Sequence, residues 1–294
     1  MSLVASPAPG ALSAAARVAG PGSSVASVSP LTGGAHASTF LVRTTNPDRD
    51  LILRQFEAGD PAADDEARAL RIIDTAGGLA PRLLARSGDA PDTTPWVLIS
   101  RMPGTADIRP ADPHRAARQL GETLARLHSA ECGSSPQLQT VFERRGRRTR
   151  LSGPAASVVD ALWHTTIAAA PLVLTHGDYQ SGNVVWSGDR LTGVVDWEGA
   201  ARGPAGYDLS WCRFDLYLLY GEPVADTCLR AYREAGGLVH DPYPWDLWTL
   251  ARSHRSVETW VPNYRDLGRT DLTAAELRRR HTAWTTDLLR RHEG

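Results

Sequence analysis

The chain has 294 residues, with 32 Lys+Arg against 33 Asp+Glu, and all 32 cations are arginine. The absence of lysine excludes a Walker-type G-K-[ST] phosphate loop, a lysine Schiff base and any lysine nucleophile. A formal net charge of -1 gives no global attraction to nucleic acid or an anionic membrane, and 42% hydrophobic residues suffice for one large or two modest cores.

No run approaches the roughly 18 apolar residues of a membrane helix. The opening residues 1–26 are rich in Ala, Ser, Pro and Gly and lack the basic start and Leu-rich run of a signal peptide. They are expected to form a disordered lead-in. Cys132, Cys212 and Cys228 show no C-x-x-C spacing and read as free thiols in a reducing cytoplasm. Nine histidines include no H-E-x-x-H pair, so zinc hydrolysis is disfavoured.

Three short β-like runs follow: Ser27 to Leu31, Thr39 to Arg43 and Asp50 to Phe56, joined by Gly33-Gly34-Ala35-His36-Ala37-Ser38 and by Asn46-Pro47-Asp48. Asp60-Pro61 predicts a helix start, with an acidic first turn at Asp64-Asp65-Glu66 and an apolar face continuing through Leu70 and Ile73. Trp96 to Met102 reads as a buried strand ending at Pro103-Gly104. Residues 27–104 therefore predict a small α+β lobe, and residues 105–294 a mainly helical one. Leu120, Leu124 and Leu127 give Ala116 to His128 helical spacing. Glu143 to Arg150 is the one dense basic run, and without aromatic interleaving it reads as a solvated connector rather than an RNA patch. From Tyr207 the pattern predicts long amphipathic helices, broken around Pro242 and Pro244.

The densest chemistry lies between Leu172 and Asp208. Leu172-Val173-Leu174 leads into His176-Gly177-Asp178-Tyr179-Gln180-Ser181-Gly182-Asn183, followed by Val194-Val195-Asp196-Trp197-Glu198. Asn183 to Trp186 and Leu191 to Trp197 read as strands joined by Ser187-Gly188-Asp189-Arg190. With the turn centred there, Asn183 would pair opposite Val194, and Asn183, Val194 and Asp196 would share a face. A diagonal separation of roughly 7–8 Å would let their oxygens converge on one cation. An amide oxygen and a carboxylate are hard ligands suited to Mg²⁺, which takes few protein ligands. Asp178, five residues before Asn183, could accept the proton of an attacking hydroxyl. These are the parts of a phosphoryl-transfer site.

His-Gly-Asp-x4-Asn followed by Val-Val-Asp-Trp resembles the aminoglycoside phosphotransferase and choline-kinase superfamily, relatives of the protein kinases. The likeness covers about residues 28 to 290 in element order, with its specific motifs in 176 to 208. It implies a two-lobed protein-kinase-like α+β fold with ATP or GTP in the cleft, Asp178 as catalytic base, and Asn183 and Asp196 holding Mg²⁺. It assigns Asp208 to support of the large lobe. Gly33 and Gly34 resemble the nucleotide loop. Arg54 stands where the kinase pattern has its phosphate-binding lysine, and its charge and bidentate head suit phosphate. Its helix acid would be Glu66, with Asp65 the competing choice. Ser100-Arg101-Met102 would form the hinge, its backbone pairing with a purine edge while Met102 covers the ring.

For the acceptor, Asp215, Glu222, Asp226, Asp241, Asp246, Glu258 and Asp266 beside C-terminal tryptophans suit a cationic or ring-containing molecule, although most of these acids belong on solvated helix faces. Trp197 and Glu198 are the better local candidates. The resulting expectation is a cytoplasmic, Mg²⁺- and nucleotide-dependent O-phosphotransferase, monomeric or homodimeric, acting on a small hydroxylated molecule. An antibiotic is the leading acceptor and an amino alcohol or sugar the alternative. A pseudokinase, an interaction module or an RNA-binding protein using Arg144 to Arg150 are the readings from other classes.

Overall fold

The computed structural model describes residues 6–31, 36–73, 77–88, 94–130, 138–145 and 151–293. The chain divides into two compact units, one running to Pro103 and regaining Gly193–Gly199, the other comprising Gly104–Thr192 and Ala200–Gly294. The return of Gly193–Gly199 to the first unit departs from the sequence expectation. The contacts are remote in sequence: Val194 donates its N–H to the Leu79 carbonyl at 2.7 Å, and Arg54 binds Asp196 and Glu198.

In the first unit, helix α1 (Pro9–Ala19) precedes strands β1 (Ser24–Leu31), β2 (Ser38–Thr45) and β3 (Arg49–Gln55). Helix α2 (Ala62–Ile73) and strands β4 (Leu83–Arg86) and β5 (Trp96–Ser100) complete it. The sheet order is β1-β2-β3-β5-β4, antiparallel throughout. Phe40 pairs with Leu53 and Val42 with Leu51, while Leu53 also faces Leu98, so period-two alternation builds one apolar face. Ala11, Ala14 and Ala15 of α1 pack onto it.

Residues 1–26 are therefore not a disordered lead-in over their described part. Composition argued for disorder because Ala and Pro add little hydrophobicity. Alanine at i, i+3 and i+4 nevertheless has the highest helix propensity and lets a helix lie close against a sheet, and Pro9 suits the first turn. The Gln55 side chain fixes the approach, accepting from the Ala8 N–H at 2.7 Å and donating to the Ser6 carbonyl at 3.2 Å. With Leu53 and Gln55 committed to that face, Arg54 projects from the opposite one.

The second unit contains β6 (Thr105–Ala106), α3 (Pro113–His128), α4 (Val141–Arg145), α5 (Ala156–Leu162), β7 (Leu172–Thr175), β8 (Val184–Ser187), and the start of β9 (Arg190–Val194). It continues with β10 (Ala201–Pro204) and helices α6 (Ala205–Tyr220), α7 (Glu222–Glu234), α8 (Tyr243–Ser253), α9 (Val261–Asp266) and α10 (Ala274–Glu293). Asp112 caps α3 by accepting the Arg115 N–H at 3.0 Å. Helix α6 departs from the amphipathic expectation, because it is buried nearly all round, polar positions included. Of the basic run, residues 146–150 lie outside the described residues, as does Cys132. Cys212 and Cys228 are free and buried. Among the described residues no helix is long and apolar enough to cross a membrane.

Helices α3 and α7 approach closely at Gly121, where a Cβ would lie 2.3 Å from the Cys228 carbonyl oxygen and 2.8 Å from the Tyr232 nitrogen. Gly121→Ala must push two backbones apart. It should destabilise by about 1–3 kcal/mol, read as a lower thermal midpoint, and an unchanged midpoint would contradict this packing.

Candidate active site

The loop after β7 is built around helix α6. Strand β7 pairs antiparallel with β10, Thr175 opposite Ala201, and delivers the chain to His176. The Asp208 carboxylate, fully buried, accepts the backbone N–H groups of His176 at 2.6 Å and Gly177 at 2.9 Å. His128 Nε2 lies 3.4 Å from the same carboxylate. Burial alone would raise the Asp208 pKa, but His128 and His176 hold it below the ordinary value. Gly177 has φ +84°, a left-handed conformation that suits glycine. Seven residues further along α6, two turns on the same face, Asp215 accepts the Ser181 N–H at 3.0 Å and the Tyr264 hydroxyl at 3.0 Å. Burial pushes the Asp215 carboxyl up, opposed by those hydrogen bonds.

Between these anchors stands Asp178, half-buried. Its Oδ1 accepts the Trp211 indole N–H at 2.7 Å, and its Oδ2 accepts Asn183 Nδ2 at 2.9 Å and Gln180 Nε2 at 3.2 Å. Asn183 Nδ2 also donates to the Asp178 carbonyl at 2.9 Å. Both acceptors can only accept, which fixes the amide orientation. Asn183 Oδ1 therefore points elsewhere, and it accepts no hydrogen bond among the described residues.

A second constellation lies wholly within the first unit. Arg54, buried, donates from Nη1 to Glu66 at 2.6 Å and from Nη2 to Asp196 at 2.7 Å and Glu198 at 2.8 Å. Asp65, the competing helix acid, instead pairs with Arg68 at 2.5 Å. Burial would lower the Arg54 pKa, but Asp196, Glu66 and Glu198 together raise it well above the ordinary value. Burial raises Glu66 despite Arg54. Burial and the Asp196 charge push Glu198 up to about 8, again against Arg54. Three carboxylates thus share one guanidinium, an excess of negative charge that a divalent cation would offset. Asp196 Oδ2 accepts no hydrogen bond among the described residues. Asp196 Oδ2 here and Asn183 Oδ1 in the second unit are each hard oxygen donors of the kind Mg²⁺ takes. No cluster of three or more His, Cys, Asp or Glu able to hold a metal occurs among the described residues.

The route by which the sequence placed Asn183 and Asp196 is corrected by the structure. Asn183 closes a 3₁₀ turn, Ser181–Asn183, ahead of β8. Asp196 lies beyond the end of β9 with φ +70°. Period-two alternation operates only along extended backbone, so neither side chain's direction follows from hairpin register. Gly33 and Gly34 lie outside the described residues. In the expected hinge, Ser100-Arg101-Met102, the Ser100 N–H donates to the Arg82 carbonyl at 2.9 Å, and the Ser100 hydroxyl accepts from the Arg82 N–H at 2.8 Å. Met102 packs against Gly193, whose Cβ would meet its methyl at 2.3 Å.

Six of the seven C-terminal acids named as acceptor candidates have partners within the chain. Asp215 serves the loop, Asp246 and Asp226 bind Arg213 at 3.0 and 3.1 Å, Glu258 binds Arg278 at 2.5 Å and Glu222 binds Arg291 at 2.8 Å. Asp241 accepts the Tyr243 N–H at 3.0 Å. Trp197 is buried, its indole N–H donating to the Val194 carbonyl at 2.9 Å, and Glu198 is bound to Arg54. Sequence reasoning missed Trp211 and the loop-anchoring role of Asp215. The 208, 211 and 215 spacing carried that signal, legible only once α6 is known to start at Ala205.

A sequence model of the phosphotransferase enzyme family matches residues 27–248. The chain belongs to this family. A homoserine kinase from Azorhizobium caulinodans is 28% identical over 201 residues, and the match spans 61% of either chain. Among solved structures, a macrolide 2'-phosphotransferase from Brachybacterium faecium superposes with a TM-score of 0.61 at 19% identity, covering 92% of this chain and 98% of that one. Aminoglycoside phosphotransferase APH(4)-Ia, in ternary complex with AMP-PNP and hygromycin B, gives 0.59 at 17% identity, covering 90% and 94%. An aminoglycoside-3'-phosphotransferase of type VIII gives 0.56 at 21% identity, covering 81% and 96%. These likenesses establish the protein-kinase-like fold.

The raised Glu198 pKa has a measurable consequence. Its folded value of about 8 exceeds the ordinary 4.5, so protonation stabilises the folded protein, fully below about pH 4.5 and no longer above about pH 8. In metal-free buffer, Glu198→Gln should match the wild-type thermal midpoint near pH 4.5 and exceed it above pH 8. A variant less stable at high pH would refute the crowded-carboxylate account.

Proposed function

We propose that this protein is a nucleotide- and Mg²⁺-dependent O-phosphotransferase that moves the γ-phosphate of ATP or GTP to a hydroxyl of a small molecule. The observation that carries this reading is the Asp178 carboxylate, held through both oxygens by Trp211 and Asn183 on a loop pinned by Asp208 and Asp215. A carboxylate so fixed can orient an acceptor hydroxyl and take its proton as the new P–O bond forms. Asn183 Oδ1 and Asp196 Oδ2 would hold Mg²⁺, which would neutralise phosphate charge. Arg54, braced by Glu66, would grip phosphate oxygens, its planar head replacing the lysine that this chain lacks. Gly33, Gly34, Ser100 and Met102 remain the proposed nucleotide-binding positions on the strength of the resemblance alone.

An antibiotic is the proposed acceptor, in keeping with the folds of the aminoglycoside and macrolide phosphotransferases. The stretch shared with a homoserine kinase favours a second reading, a metabolic kinase of an amino alcohol or sugar. Phosphate transfer from Mg²⁺-ATP to a panel of hygromycin B, spectinomycin, a macrolide, L-homoserine and simple sugars separates the two. Transfer to an antibiotic supports the first reading, and transfer confined to L-homoserine or a sugar supports the second.

Asp178→Ala should lower turnover by about 10²–10⁴ while leaving the folded protein intact. Retention of turnover within a factor of a few would remove Asp178 as the base. Asp196→Ala should abolish turnover at ordinary Mg²⁺ concentrations, and an unaltered Mg²⁺ dependence would remove it as a ligand.

A further inference from the structure

Trp211 is a polar contact to Asp178 that comes from outside the loop, and its surroundings mark it as more than packing. It sits on α6 between the two loop anchors, three residues after Asp208 and four before Asp215, so all three side chains emerge on one helical face. Asp208 holds the His176 and Gly177 amides, Trp211 holds the Asp178 side chain and Asp215 holds the Ser181 amide. One rigid helix thereby sets both the path of the loop and the direction of its carboxylate.

The indole is itself immobilised. The Arg252 guanidinium of α8 stacks 4.5 Å from the Trp211 ring and 4.9 Å from the Tyr207 ring, and it donates to the Tyr207 hydroxyl at 2.5 Å. Trp260 packs edge-on against the indole, with ring centroids 5.2 Å apart. A Trp needed only for its apolar area would not need its N–H aimed at a half-buried carboxylate.

We propose that Trp211 is a positioning residue for the Asp178 carboxylate, with Arg252 clamping the indole from its face. This rests on the reading of Asp178 as the base. The Trp211 bond fixes Oδ1 and the Asn183 and Gln180 bonds fix Oδ2, so the carboxylate is held against rotation about its χ2. A hydroxyl arriving at the site then meets an acceptor already oriented, and the entropic cost of alignment is met in folding rather than at each turnover.

The test compares Trp211→Phe, which keeps an aromatic ring and removes the N–H, with Asp178→Ala and the double variant. The substrate is Mg²⁺-ATP with whichever panel acceptor supports transfer, and with water where none does. Trp211→Phe should lower kcat by about tenfold and leave KM for ATP within about twofold, since no nucleotide contact is removed. In the Asp178→Ala background it should cause no further loss, because Trp211 acts through that carboxylate. An unchanged kcat in Trp211→Phe beside an inactive Asp178→Ala would overturn the positioning role alone. An equal loss in both backgrounds would also overturn it, by making Trp211 merely structural. Asp178→Ala at wild-type rate would instead overturn the base assignment beneath it.

A readout independent of turnover follows the indole N–H by ¹H–¹⁵N NMR. The resonance lost in Trp211→Phe, one of nine tryptophan signals, should shift in Asp178→Asn while the others stay in place. A stationary resonance would show that the bond is not made.

Discussion

Burying a carboxylate without partners is costly, and helix α6 buries two of them, Asp208 and Asp215, along one face. Each accepts backbone N–H groups of the loop at 176–183 together with side-chain partners, His128 at Asp208 and the Tyr264 hydroxyl at Asp215, so a relaxed loop would leave a buried carboxylate with fewer donors. That mutual dependence organises the candidate site. The amides gain acceptors they would otherwise lack, the aspartates gain donors, and Asp178 between them is presented in one orientation. The near-complete burial of α6 gives the anchors a fixed base, and His128, reaching Asp208 from α3, ties the loop to a second helix.

The first unit solves a related problem with the opposite sign. Arg54 is a buried cation shared by three carboxylates, and burial, with the neighbouring Asp196 charge second, raises the pKa of Glu198. Such a cluster contributes little as stabilising ion pairs, since desolvation offsets much of the attraction. Its chemical value lies in poise, because charge left uncompensated by the protein is available to a cationic ligand. An arginine suits this position better than a lysine would, since its two terminal nitrogens address different carboxylates at once.

Particular residues show where sequence reading succeeds and where it stops. The Arg54–Glu66 pair was legible through the family resemblance, which supplied both positions, while helical spacing from Leu70 favoured Glu66 over Asp65. The partners of the C-terminal acids were not, because a helix-surface pattern cannot tell an exposed aspartate from one that is buried against an arginine, as Asp246 is against Arg213. The N-terminal helix was misjudged for a similar reason. Alanine contributes weakly to any compositional measure of hydrophobicity, yet its small size is what admits α1 to the sheet. Trp211 was invisible among nine tryptophans until a helix boundary gave it a direction.

The sequence by itself determined which groups are available here: an amide and several carboxylates in a fixed order, with arginine as the sole long-chain cation. These follow from residue identity and short spacing, which need no knowledge of distant contacts. Only the tertiary structure decided which of those groups are oriented and by what. Asp178 is aimed by a tryptophan 33 positions away, and Asp196 is carried beyond a strand end on a left-handed residue. The direction of a side chain depends on backbone conformation and on partners remote along the chain, and periodicity encodes neither.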